Sequence, residues 1–420
     1  MKKRILSALL ALVMVLALLP ATVFAAAAET GKTSVRYYDK VQPNLLDESG
    51  QKIGPGWYYQ FQMDVGNNRK ETRYAKVDTG VVTGTSTSGT WYESADAALA
   101  KGQTSFTLLS NQTISNLNRN LTVDTNGNTL NISGADMTKV TSLTVTDARY
   151  AAAQKVGDNT VPQGTVSWNL DNSGTGTQSF TLTLRNGGQL SGGVSLTNPA
   201  NHTITMTDYA KIEGSVTMSG NAATNANAQN VSLSNYSKIT GAVELTGNSS
   251  RVNVASSEMG ALTLKGTGTQ LTVNGIISKV GAVTLNSAQS KTTGTNATVN
   301  ISQGRVESIT QPTDDLKSNI KITVGENGSA GDITIVNGAD ITVNQGSTGA
   351  IILPSGTLTV NGPSARLGAL TLNRTGNTTF KVAGTGNSIA SVNASNGTSL
   401  KVDIAAEISN TFGAVSLDGY

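Results

Sequence analysis

From about residue 180 onward, apolar and polar positions alternate in short bursts that return with a period of about 20 residues. The plainest burst is a Gly-Ala-Val-Thr-Leu-like pentapeptide. Copies begin at Gly193, Gly214, Gly241, Gly260, Gly281, Gly331, Gly349, Gly368 and Gly413, and degraded versions fall at Arg305-Val306-Glu307-Ser308-Ile309 and Ile389-Ala390-Ser391-Val392. Upstream of each lies a partner with the same in-out alternation, from Leu182-Thr183-Leu184, Ile204-Thr205-Met206 and Val231-Ser232-Leu233 through to Val402-Asp403-Ile404. A shorter apolar beat separates the two, as in Lys211-Ile212, Lys238-Ile239, Lys279-Val280 and Arg366-Leu367. Strands this short cannot fold singly. Stacked, each bonds to its equivalent in the repeats above and below while Val, Ile and Leu line up inside. The pattern therefore predicts an all-β, right-handed parallel β-helix with three short strands per coil, and its eleven repeats make a rod of roughly 50 Å.

One or two positions past the partner strands stand Asn186, Asp208, Asn235, Asn274, Asn344 and Asn361. Such side chains bond to nearby backbone and tolerate left-handed dihedrals, so a corner ladder that satisfies buried amides is expected.

Ahead of the regular coils, residues 94–101 read as a short helix with Ser94 as N-cap and Gly102 as stop, placed to cover the open end of the apolar interior. The first coils follow in Phe106-Thr107-Leu108-Leu109, Leu121-Thr122-Val123 and Leu130-Asn131-Ile132. Residues 146–178 break the period and read as an insertion or an irregular coil, with Trp168 packed inside. Residues 28–92 lack the period and hold Tyr37, Tyr38, Trp57, Tyr58, Tyr59 and Tyr74, which points to a separate small β-rich segment. Its aromatics serve either as a core or, in Trp57, Tyr58 and Tyr59, as a surface on which sugar rings stack. The organisation expected is a leader over 1–27, this segment over 28–92, and the β-helix over 93–420.

The opening of the β-helix, Ser94-Ala95-Asp96-Ala97-Ala98-Leu99-Ala100, then Thr107-Leu108-Leu109, then Leu121-Thr122-Val123-Asp124-Thr125-Asn126-Gly127-Asn128-Thr129-Leu130, resembles that of pectate-lyase-like β-helix proteins exported by Gram-positive bacteria. The resemblance implies an exported surface protein, since many of that family are, and some carry S-layer homology modules. No such module occurs in this sequence. Leu353-Pro354-Ser355-Gly356-Thr357 only imitates a sortase signal, because its order differs.

Met1-Lys2-Lys3-Arg4 followed by an apolar run over 5–19, Pro20 and small residues at 25–28 has the layout of a secretory signal peptide. The run is shorter than the roughly 20 residues a membrane-spanning helix needs, so no span is expected after cleavage. Lys2, Lys3 and Arg4 account for the whole formal charge of +3. A neutral mature chain gives no footprint for nucleic acid or an anionic surface. Cysteine is absent, which excludes disulfides, thiolate metal sites and a cysteine nucleophile.

Catalytic groups do not gather in the pattern. His202 is the single histidine, so neither a zinc site nor a histidine-based triad has enough parts. Glu213 and Glu244 fall at different points of their repeats and read as isolated solvated charges, and Asp314-Asp315 reads as a polar loop. Gly174, Gly176, Gly266, Gly268, Gly384 and Gly386 precede strands and not helices, so they mark turns and not phosphate loops. The longest connections, 219–230, 286–298 and 310–319, all follow the pentapeptide strand and project from one edge, where insertions build binding sites or simply drift. No cofactor or metal is expected. The reading that follows is a non-catalytic structural or adhesive rod at the cell surface, with cell-wall or host and plant glycans or other surface proteins as partners. Two alternatives stay open: a polysaccharide lyase or glycoside hydrolase on the same scaffold, and glycan binding through the aromatic N-terminal segment. The last pentapeptide lacks a following cap, so a partner or further chain is expected to cover that end.

Overall fold

Leu182 and Leu184 point inward and Thr183 outward, and this two-residue alternation, repeated in every coil, decides the architecture. In the computed structural model, which describes residues 33–220, 228–285, 297–312, 320–373, 377–395, 399–405 and 409–417, the chain winds into a parallel β-helix of about 12 turns. The expected signal peptide, most of the three long loops and Asp314-Asp315 lie outside the described residues. Three parallel ladders run along the rod. In the first, Leu182 pairs with Ile204, then Val231, Val252, Leu271 and Val299. In the second, which is the short apolar beat, the run is Leu190, Ile212, Ile239, Met259, Val280 and Val306. The pentapeptide forms the third, with Val194, Val216, Val243, Leu262, Val283 and Ile309. All of these side chains are buried in one continuous core. At the far end the inward positions Val402, Ile404, Val415 and Leu417 are about half exposed, and among the described residues nothing lies over them.

The corners differ from the expected asparagine ladder. Asn186, Asp208 and Asn235 do take left-handed dihedrals, with φ of 48, 54 and 53°. Asn274, Asn344 and Asn361 instead end their strands, and Gly275, Gln345 and Gly362 make the turn. Among the described residues, side chains of these corners bond to one another in separate pairs and not in a continuous ladder: Asn235 Nδ2 to Asp208 Oδ1 and Asn361 Nδ2 to Asn344 Oδ1, both at 3.1 Å, and Ser302 Oγ to Asn274 Oδ1 at 3.4 Å, none of them fully buried.

The buried corners use another device, in which a side chain of one coil accepts the backbone N–H of the coil before it. Phe180 N–H donates to the His202 ring, His202 N–H to Gln229 Oε1, and Gln229 N–H to Ser250 Oγ, at 3.1, 3.1 and 3.0 Å. Ser237 N–H donates to Ser257 Oγ, Ala365 N–H to Asn387 Oδ1 and Asn387 N–H to Asn410 Oδ1 in the same way. A buried amide left unpaired would destabilise the fold, so these side chains specify where the chain can bend.

From Gly214 onward, the glycine that opens a pentapeptide has a steric cause, whereas Gly193 has room for a side chain. A Cβ on Gly241 would sit inside the carbonyl of Gly214, and one on Gly260 inside that of Gly241, because successive backbones touch at this corner.

At the N-terminal end the helix Ala95–Ala100 forms as expected, with Ala97 N–H donating to Ser94 Oγ at 3.1 Å. Ala95, Ala98 and Leu99 cover the core beside Val81, Tyr92 and Phe106. The hairpin of Val81–Thr85 and Ser88–Tyr92 adds antiparallel strands to the first coil, pairing Val81 with Leu108. Beyond it, Thr33–Tyr38 bridges that hairpin to a second antiparallel sheet with Gly56–Asp64 and Lys70–Val77.

Residues 146–178 are not an irregular coil. Thr165–Ser167 and Leu170–Asn172 keep the register of the second and third ladders, and the interruption is one helix, Ala148–Lys155, inserted at the first corner. Buried Asp147 anchors it by accepting N–H groups from Tyr150, Gly127 and Gly164 at 3.1, 3.0 and 2.6 Å. Trp168 is buried.

Candidate functional site

Trp57, Tyr58 and Tyr59 are consecutive in one strand, so they cannot share a face. Trp57 and Tyr59 lie half-buried against Val35, Val77 and Val82. Tyr58 is buried on the opposite side, its ring 6.1 Å from that of Tyr38. The accessible part of this aromatic surface is Tyr37, whose ring leans over Trp57 at 5.4 Å. Burial pushes the Tyr59 hydroxyl above its ordinary range, with a smaller contribution from Glu48.

A second aromatic feature escaped the sequence reading. Tyr209 and Tyr236 occupy the same corner of successive coils, each immediately after a left-handed residue and each itself left-handed, with φ of 64 and 65°. Their rings stack at 5.1 Å and 7°, and Tyr236 is 58% exposed. A bulky residue is costly in this backbone region, so the corner is over-determined by its neighbours. The signal was present in Asp208-Tyr209 and Asn235-Tyr236, which recur at one point of the repeat.

The glutamates are not isolated. Lys211 Nζ reaches Glu213 and Lys265 reaches Glu244 across one coil, each at 2.7 Å. Glu258 stands between Lys238 at 2.7 Å and Lys279 at 3.6 Å. The hydrogen bond from Lys238 chiefly, and then the charges of both lysines, hold the Glu258 carboxyl below the usual range. Asp124 moves the other way, raised first by burial and less by Asp147 nearby, and its Oδ1 accepts the N–H of Asn126 at 3.1 Å.

His202 is fully buried with both ring nitrogens engaged: Nδ1 accepts from Phe180 N–H, and Nε2 lies 3.3 Å from the Asn198 carbonyl, to which it donates. Burial lowers its basicity, in keeping with a neutral ring that links coils. Leu353 of the sortase-like string is buried in the third ladder.

The rod surface opens into a cleft of about 440 Å³ between the third ladder and the turn before residue 181, lined by Met137, Asp171, Asn172, Gly174, Gln178 and Asn198. Among the described residues, no group of three or more His, Asp or Glu side chains is close enough to hold a metal ion.

Searches of protein-family models, curated proteins and solved structures return no match to this chain.

Proposed function

We propose that the protein is an exported, non-catalytic rod that acts at the cell surface through structure and glycan adhesion. The observation that carries this reading is the state of the outward carboxylates. Glu213, Glu244 and Glu258 are each engaged by a lysine at 2.7 Å, across adjacent coils for the latter two, so these charges clamp the stack. Glycoside cleavage with acid-base catalysis needs one carboxyl with a raised pKa facing another across the bond. Glu258 is shifted in the opposite direction. Asp124 is raised, but it and Asp147 are occupied with backbone amides of a turn and a helix start. The leader-like first residues and the resemblance to exported β-helix proteins support the location, and exposed Tyr236, stacked on half-buried Tyr209, supports adhesion, because the outer face of such a ring suits a sugar ring.

The test expresses the full chain in a Gram-positive host. Recovery in the surface fraction, co-sedimentation with purified insoluble cell-wall polysaccharide and no release of reducing or unsaturated ends from polygalacturonate or xylan are expected. Retention in the cytoplasm, or steady release of new ends, defeats the reading.

A further inference from the structure

Asn172 occupies a slot that the coils immediately following it fill with apolar side chains. It ends the strand Leu170–Asn172 and pairs with Leu196, and the same slot then holds Met218, Leu245, Leu264 and Leu285. It is only 6% exposed, and its Nδ2 has no hydrogen-bond partner. Asn198, 1% exposed, lies one coil further on. Its Nδ2 donates to the carbonyls of Gly176 and Gln178, both at 2.9 Å, which fixes the orientation of the amide, and its Oδ1 is left without a partner. Both amides line the same cleft.

Gln311 shows what a polar side chain in this slot does when its role is structural. Also fully buried, it turns Oε1 toward the N–H groups of Val336 and Asn337 at 3.3 and 3.2 Å. The two asparagines instead leave one donor and one acceptor without a partner, in side chains that line the cleft. Buried polar atoms are rarely left so, because each forfeits its hydration.

The unpaired atoms define the ligand. A hydroxyl accepts and donates at a single oxygen, so hydroxyls match Asn172 Nδ2 and Asn198 Oδ1 together. An anion would face Asn198 Oδ1 and the Asp171 carboxylate, and a cation would face the amide hydrogens of Asn172. Met137 is the one wholly apolar side chain of the lining, and the rest of the apolar surface comes from the carbon atoms of polar residues and glycines, as suits the C–H faces of a sugar. We propose that this cleft is a binding site for a neutral, hydroxyl-rich glycan unit. Asn172 donates to it, Asn198 accepts from it, and exposed Asp171 accepts further hydroxyls at the rim. The volume lies within the range of small-ligand pockets. This inference rests on the adhesive reading above for its ligand class and gives that reading a location.

The experiment titrates the full chain, calorimetrically, with three neutral trisaccharides: cellotriose, mannotriose and chitotriose. Saturable binding of at least one is expected, with a loss of tenfold or more in Asn172→Leu and of a few-fold in Asp171→Ala. Asn172→Leu puts back the residue type of the neighbouring coils, so its melting temperature is expected to stay level or rise while binding falls. No binding of any trisaccharide overturns the site, as does equal affinity in wild type and Asn172→Leu. Should Asn172→Leu fail to fold, unchanged affinity in Asp171→Ala overturns it. Co-sedimentation with insoluble cell wall is scored in parallel. Persistence of that binding in Asn172→Leu sinks the cleft alone, whereas its absence in the wild type sinks the adhesive reading.

Discussion

In the rod, Leu182 lies over Ile204, which lies over Val231, so each inward side chain meets its own equivalent above and below. In the N-terminal segment, Trp57 sits opposite Val77 on one side and Tyr37 on the other, across antiparallel strands. The rod repeats one small packing problem, and its side chains are interchangeable aliphatics. The N-terminal sheet solves its problem once, with aromatics of unequal size whose places are not exchangeable. A lesion in the rod is therefore expected to pass to neighbouring coils through shared ladders and corners, and one in the N-terminal sheet to stay near its aromatic cluster.

Four substitutions sharpen that contrast. The largest effect is expected from Gly241→Val, whose side chain would enter the Gly214 carbonyl with backbone stacked on both sides. A loss of about 3 kcal/mol or more should follow, with amide exchange rising through 203–264 and unchanged over 56–77. Unaltered exchange in the rod would show that the corner can relax. Trp57→Ala should cost about 2 kcal/mol, since the ring is only half buried, and should raise exchange in 33–92 but not beyond 181.

His202→Leu comes next, at roughly 1–2 kcal/mol, because Phe180 N–H loses its acceptor. The pH dependence has a definite sign. With the folded value lowered by burial, the neutral ring costs nothing above the ordinary histidine value. As pH falls below that value the unfolded chain takes up the proton first, so wild-type stability declines until the folded value is passed. Denaturant midpoints across this range should slope for the wild type and flatten for His202→Leu. Smallest is Glu258→Gln, a few tenths of a kcal/mol for a largely exposed pair. Its folded value is depressed, so the stabilisation is present above the ordinary glutamate value and vanishes as pH falls through the folded one. Added salt should shrink it further, and a salt-independent difference would refute the ion-pair explanation.

How legible these features were followed from whether the period held. The three ladders could be aligned from the recurring Gly and the Val, Ile and Leu that follow, and Ser94 and Gly102 marked both ends of the short helix. Asn172 could not be placed. The helix Ala148–Lys155 and its loops interrupt the count, so nothing in the local sequence shows that Asn172 falls into line with Leu196. The corner asparagines misled in part because Asn residues serve equally as strand ends and left-handed turns. The inter-coil ion pairs were missed because Glu244 and Lys265, or Lys238 and Glu258, become neighbours only when coils stack.

What the sequence determined by itself is the repeat, its two-residue alternation and hence a solenoid with an aliphatic interior, since any other winding would expose that interior. What the tertiary structure decided lies between coils: which glycines must lack a side chain, which polar groups accept amides from the coil before, and which are left facing a cleft. These depend on distances between residues about 20 apart in the chain, and the stacking alone sets them.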